Sequence, residues 1–116
     1  MVERMKSPSK EQDVQRVLPI TGQFDAMAVK KLRQSFTEIA EKEQRDVRLD
    51  LTSVNFIDSS GIGAIVFMYK RVSARGRKLT ITGLHGQPLE LIRFLRIDKT
   101  IPIETASSIK KLAVAS

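Results

Sequence analysis

Residues 55–63 read Asn-Phe-Ile-Asp-Ser-Ser-Gly-Ile-Gly. This stretch leads into a helix, because an apolar spacing of 3, 4 and 3 residues begins near its end. The apolar positions of that helix are Ile62, Ile65, Tyr69 and Val72. Asp58 or Ser59 is predicted to start the helix, since both residue types are good N-caps, and Gly76 is predicted to end it. The stretch therefore places two hydroxyls and a carboxylate at a helix N-terminus.

The chain upstream of this junction predicts a strand followed by an amphipathic helix. The strand begins at Val14 and ends at Thr21-Gly22, and Pro19 within it favours an edge position because proline cannot donate to a ladder. Asp25 is suited to cap the helix that follows. The apolar stripe of this helix is Val29, Leu32, Phe36 and Ile39.

Residues 47–51 alternate apolar and charged side chains, which predicts a second strand, and a loop is expected from residue 52 to Asp58. A third strand is predicted at 79–81, then a helix with Pro88 in its first turn, and a short strand at 101–103. The two ends of the chain add an edge strand and turn within 1–12 and a last helix that Ser107 or Ser108 caps.

Strands that alternate with helices imply an α/β fold. We expect a mostly parallel sheet of four to five strands with about four helices packed on it. The length of 116 residues, with 41% hydrophobic and 28% charged residues, predicts a single globular domain over 1–116.

The charge is distributed unevenly along the chain. Residues 1–67 carry ten cationic and ten anionic side chains, whereas residues 68–116 carry ten cationic and three anionic ones, so the second part holds the whole net charge of +7. Such an excess suits nucleic acid, an acidic membrane or an acidic protein partner, or is simply a basic solvated surface. Arg71, Arg75, Arg77 and Lys78 cluster near one predicted helix end.

Residue types that are rare or missing exclude several classes of site. With no Cys and one His, His85, we expect no thiol nucleophile, no catalytic Ser–His pair and no metal site. Gly61 and Gly63 lack the third glycine of a dinucleotide fingerprint, because Val66 stands in its place, so no cofactor is expected. The chain begins without an apolar segment, which favours a cytoplasmic protein that is neither secreted nor inserted in a membrane.

The junction permits two readings from its residues alone. The first is a plain N-cap. The second is a phosphorylation site, because backbone N–H groups at a helix N-terminus favour the charge that a phosphoryl group on Ser59 would add. In this reading Gly61 and Gly63 keep the first turn free of bulk, so that the active site of another protein can approach.

Three elements of the sequence strongly resemble the STAS domain family, and within it the stand-alone bacterial anti-sigma factor antagonists. These elements are Thr21-Gly22-Gln23-Phe24-Asp25, Leu49-Asp50-Leu51 and Phe56-Ile57-Asp58-Ser59-Ser60-Gly61-Ile62-Gly63. The resemblance runs from about Val14 to Ala115. Gln23 and Phe24 stand where family members more often have Glu and Leu.

The resemblance implies a protein-binding switch. In the family, the unphosphorylated protein binds an anti-sigma factor, which is also a serine kinase of the histidine-kinase-like ATPase type, and frees the sigma factor. Phosphorylation of the first serine of the element, here Ser59, abolishes binding, and a serine phosphatase restores it. The implied partner-binding residues are Asp25, Asp58, Ser59, Ser60, Gly61 and Ile62.

Two other functions compete with this one. A STAS subunit of a lipid-transport ATPase, or of a system that regulates polysaccharide synthesis or biofilm formation, would have a similar fold and serine region. Direct nucleic-acid binding fits the charge, but only 5% of the residues are aromatic and no RNA-binding motif is present. We therefore expect no direct contact with nucleic acid.

Overall fold

The structure is a computed structural model that describes residues 14–105. The strands are β1 (Gln15–Phe24), β2 (Asp46–Ile57), β3 (Leu79–Leu84) and β4 (Ile103–Thr105). The helices are α1 (Ala26–Lys42), α2 (Ser59–Ala74) and α3 (Gly86–Phe94), with a 3-10 turn at Ile97–Lys99. The edge strand expected within 1–12 and the helix expected after Ser107 or Ser108 lie outside the described residues.

The strands form one sheet in the order β1-β2-β3-β4, and each neighbouring pair is parallel. This confirms the predicted α/β fold with four parallel strands. Three α-helices lie within residues 14–105, and the fourth predicted helix falls outside them. β1 ends the sheet on one side within this part of the chain, as Pro19 predicts.

One face of the sheet carries the core. In β2, Val47, Leu49 and Leu51 are buried, whereas Arg48 and Asp50 on the other face are half-buried. Their neighbours Leu79 and Ile81 in β3 are buried on the same face as Val47 and Leu49. Side chains from α1, α2 and α3 join the same apolar cluster. The opposite face is polar, and Arg48 there bonds to Glu104 of β4 at 2.8 Å.

The helical stripes predicted from spacing are the ones that pack. Phe36 and Ile39 of α1 are buried, and the Phe36 ring meets the Phe24 ring edge-on with centroids 6.0 Å apart. In α2, Ile65 and Val72 of the predicted stripe are buried, Ile62 and Tyr69 are half-buried against the core, and Met68, which the stripe does not include, is buried with them. Phe67 of α2 is 42% exposed, and Cζ of Arg71 lies 4.9 Å from the centre of its ring.

The first two strands are longer than predicted. The prediction of a loop from 52 to 58 is wrong, because β2 continues to Ile57. β1 and β2 stay paired from Gln15↔Asp46 to Phe24↔Ile57, so ten residues of β1 match twelve of β2. Two register shifts account for the two extra residues of β2, as β-bulges do. They explain why Leu51, Val54 and Ile57 are all buried although they are three residues apart.

No helix within residues 14–105 is long and apolar enough to cross a membrane.

Arg96 adopts a left-handed conformation with φ of 60° just after α3, and it is the one non-glycine residue of the described chain with a positive φ. This conformation is costly for a residue with a Cβ. We expect Arg96→Gly to raise the free energy of unfolding by about 0.5–1 kcal/mol in urea denaturation. Arg93→Gly, in the last turn of α3, is the control and should lower it by about 1 kcal/mol. A lower stability of Arg96→Gly would contradict this account.

Glu43, just after α1, makes the stability of the fold depend on pH in the acid range. The Arg45 side chain hydrogen-bonds to it at 2.8 Å, and this contact, with a further bond from Arg16, lowers the pKa of Glu43 from 4.5 to about 2. Because the folded-state pKa is depressed, the stabilisation is complete above pH 4.5 and is lost as the pH falls towards 2. We expect Glu43→Gln to cost about 1.5–3 kcal/mol at pH 7 and much less at pH 2.

Urea denaturation at both pH values measures this difference. Glu38→Gln, which changes an exposed carboxylate of α1, is the matched control and should leave stability nearly unchanged at both pH values. An equal cost of Glu43→Gln at pH 7 and pH 2 would rule out the ionic contact as its cause.

Candidate functional site

Two aspartates lie side by side at the carboxyl edge of the sheet. Asp25 and Asp58 each follow the last residue of a strand, and those last residues, Phe24 and Ile57, are paired neighbours. Each aspartate is the N-cap of the next helix, with almost the same extended backbone: φ −118° and ψ −170° at Asp25, φ −116° and ψ −171° at Asp58. The sheet register thus places the N-termini of α1 and α2 next to each other.

The carboxylates bind the first turns of their helices. Asp25 accepts a hydrogen bond from the Ala28 amide at 3.1 Å. Asp58 accepts two, from the Ser60 amide at 2.9 Å and from the Gly61 amide at 3.1 Å. Asp58 therefore occupies two of the N–H groups that the sequence suggested as donors to an anion.

Ser59 is the first residue of α2 and is exposed, whereas Ser60 beside it is half-buried. Of the two hydroxyls of the junction, the one on Ser59 is the more accessible to another protein. We name Asp25 together with residues 58–61 the paired-cap site.

Gly61 has a different role from the one expected. It is buried, and a Cβ there would lie 2.3 Å from the Phe24 carbonyl oxygen and 2.7 Å from Cγ1 of Ile57. Its lack of a side chain lets α2 approach the end of β1 rather than clearing a path for a partner. Gly63 is exposed with no atom within 4 Å of such a Cβ, so the surface there is open as expected.

The other predicted partner-binding residue, Ile62, lies in the first turn of α2 and is half-buried against the core. Its amide donates to the Asp58 carbonyl at 3.0 Å. The structure thus brings all six predicted residues together at one edge of the sheet.

The sequence did not indicate a cavity of about 430 Å³ beside Asp25. Its lining includes Gln23, Met27 and Lys31, and the Met27 side chain is 64% exposed. Met27 lies one residue into α1, on the helix that Asp25 caps. An exposed apolar side chain next to a half-buried carboxylate offers a protein partner both an apolar and a polar contact. Met27 lies outside the apolar stripe of α1, so the spacing of apolar residues in the sequence gives no signal for it.

Part of the basic cluster has a structural role. The Arg75 guanidinium donates to the carbonyls of Ala40 and Glu41, and the Arg77 guanidinium donates to the carbonyl of Gln44. These carbonyls lie at and just after the C-terminal end of α1, where cations are favourable. The two arginines therefore tie the end of α2 to the end of α1, which accounts for them without nucleic acid.

No group of three or more His, Cys, Asp or Glu residues that could hold a metal ion occurs within residues 14–105. His85 lies away from Ser59 in the chain, and its Nε2 is 2.9 Å from the carbonyl oxygen of Thr52.

Known proteins resemble this chain along most of its length. An anti-sigma-B factor antagonist of Listeria monocytogenes is 28% identical over 96 residues, which cover 82% of this chain and 84% of that protein. The anti-sigma-B factor antagonist of Bacillus subtilis is 29% identical over 97 residues, covering 84% and 86%. A crystal structure from Thermotoga maritima has the same fold, with a TM-score of 0.75 at 20% identity over 90% of each chain.

A comparison with models of protein families also matches most of the chain. The model of the STAS domain matches residues 7–111, which include every element of the sheet and the whole paired-cap site. The chain therefore belongs to the STAS domain family.

Proposed function

We propose that this protein is an anti-sigma factor antagonist whose binding to its partner is controlled by phosphorylation of Ser59. The observation that carries the proposal is the exposed Ser59 at the start of α2, flanked by the caps Asp25 and Asp58. The similarity to two anti-sigma-B factor antagonists over more than four fifths of the chain supports the same role.

The unphosphorylated protein binds an anti-sigma factor through the paired-cap site. Met27 and Ile62 supply apolar area beside the polar caps, and the open space at Gly63 permits close approach. Binding of the anti-sigma factor releases the sigma factor that it held. The protein acts as a binding regulator in the cytoplasm, without catalysis of its own.

Phosphorylation reverses binding by adding charge where the site is already anionic. A serine kinase, which we take to be the anti-sigma factor itself, transfers the γ-phosphoryl group of ATP to the Ser59 hydroxyl oxygen, with loss of the hydroxyl proton and release of ADP. The phosphoserine carries a charge of about −1.5 to −2. Because Asp58 already binds the Ser60 and Gly61 amides, these donors are not available to neutralise it.

A partner that covers Ser59 would then have to desolvate the phosphate next to Asp58. Such a penalty can reach several kcal/mol, and each 1.4 kcal/mol or so changes the affinity about tenfold. The switch therefore needs no refolding of the domain. A serine phosphatase removes the group and restores binding.

We expect Ser59→Ala to bind the anti-sigma factor constitutively. Ser59→Asp should bind it at least about 100-fold more weakly, because the carboxylate places a charge at the interface. Affinity capture from the native cell extract with each variant as bait, followed by mass spectrometry, identifies the partner. Titration by isothermal calorimetry then measures the two dissociation constants. Equal capture of the same partner by both baits would contradict the proposal.

Incubation with the captured kinase and ATP should place phosphate on Ser59, as read by peptide mass spectrometry. Ser60→Ala is the matched control, because it removes the neighbouring hydroxyl and should leave phosphorylation intact. Phosphate that persists in Ser59→Ala would move the switch to another residue. Capture of a membrane ATPase in place of a soluble kinase would favour the lipid-transport role.

A further inference from the structure

The edge of β2 that faces β3 loses its partner strand before it reaches Ser59. β2 pairs with β3 from Val47↔Leu79 to Asp50↔Thr82, whereas its pairing with β1 continues to Ile57. The backbone groups of β2 beyond Asp50 on the β3 side therefore need other partners.

Gln87 supplies them at the last residue of the strand. The Ile57 amide donates to Oε1 of Gln87 at 2.9 Å, and Nε2 of Gln87 donates to the Ile57 carbonyl at 2.9 Å. A side-chain carboxamide presents a donor and an acceptor side by side, as a peptide group of a neighbouring strand would. Gln87 thus replaces the missing part of β3 at this point.

The two bonds matter because Ile57 is fully buried. Without Gln87, a buried N–H and a buried carbonyl would lack these partners, which is costly. The next amide, that of Asp58, points the other way and donates to the Phe24 carbonyl at 3.4 Å. The end of β2 is therefore held from both sides immediately before the cap of α2.

A second side chain attaches the same helix to the same strand. His85, the N-cap of α3, has its Nε2 2.9 Å from the carbonyl oxygen of Thr52 in β2. Gly86 follows with φ of 59° and begins the helix, so Gln87 is its second residue. The start of α3 is anchored to the free edge of β2 at two points.

We propose that Gln87 is a positioning residue for the phosphorylation switch, because it fixes the Ile57 peptide and thereby the Asp58 cap and the outward direction of Ser59. The inference rests on the function proposed for Ser59, but its structural part does not depend on that function. Through Gln87, the turn between β3 and α3 influences the geometry of the paired-cap site.

The amides of Ser60 and Gly61 report on the cap, since both donate to Asp58. We expect Gln87→Met, which keeps a similar length and removes donor and acceptor, to speed their hydrogen exchange at least tenfold. The amide of Ile81 in the sheet centre should remain near its wild-type rate. Gln34→Met on the exposed side of α1 is the matched control and should change neither.

Gln87→Glu separates hydrogen bonding from packing. An ionised carboxylate accepts from the Ile57 amide but opposes the Ile57 carbonyl, whereas a protonated one offers a donor and an acceptor as glutamine does. Exchange at Ser60 and Gly61, taken relative to wild type at the same pH, should therefore be faster at pH 8 and return towards the wild-type rate at pH 4. Asp58 and His85 are the titratable groups nearest in sequence to the paired atoms.

Two outcomes would overturn the proposal: unchanged exchange at Ser60 and Gly61 in Gln87→Met, or equal acceleration of every amide including Ile81. In the second case Gln87 only stabilises the domain. The rate of Ser59 phosphorylation gives an independent readout, which should fall at least fivefold in Gln87→Met and not in Gln34→Met. If wild-type Ser59 is not phosphorylated at all, the proposed function fails while the exchange data still decide the role of Gln87.

Discussion

The close contact between the first turn of α2 and the last residue of β1 governs the rest of this structure. Gly61 allows it, because any side chain there would overlap the Phe24 carbonyl and Ile57. The contact holds the start of α2 against the end of β1, beside the start of α1. Two helix N-termini and two capping carboxylates consequently share one edge of the sheet, and Ser59 is exposed to solvent there.

Different interactions stabilise different parts of the structure around this contact. The core under the sheet is apolar and comes from all three helices. At the opposite edge, Arg75 and Arg77 bind the carbonyls at the end of α1, so the C-terminal ends of the two long helices are joined. At the site itself, Gln87 takes the place of a strand beside Ile57. The scaffold therefore presents a small polar surface around the exposed Ser59, where the proposed phosphorylation would add charge without any need to refold the chain.

Much of this arrangement could be predicted from the sequence, because apolar spacing and capping residues are local signals. They located α1, α2, their caps Asp25 and Asp58, and the parallel sheet. The second half of β2 could not be found in this way, because Leu51, Val54 and Ile57 are spaced by three and the bulges that bury them exist only in the pairing with β1. Gln87 and Met27 were missed for a similar reason: a single glutamine or methionine has no pattern until the fold gives it neighbours.

The two bulges also have a consequence for how this chain can vary. Twelve residues of β2 span the length of ten residues of β1, and only this excess brings Phe24 and Ile57 level. Each residue along a strand adds about 3.3 Å, so loss of one residue between Asp50 and Ile57 would move one cap away from the other by roughly that distance. Changes of length in the turns at the far edge of the sheet leave the level of the caps untouched. Evolution is thus free to alter the connections, while the number of residues in β2 is constrained by the distance between two aspartates.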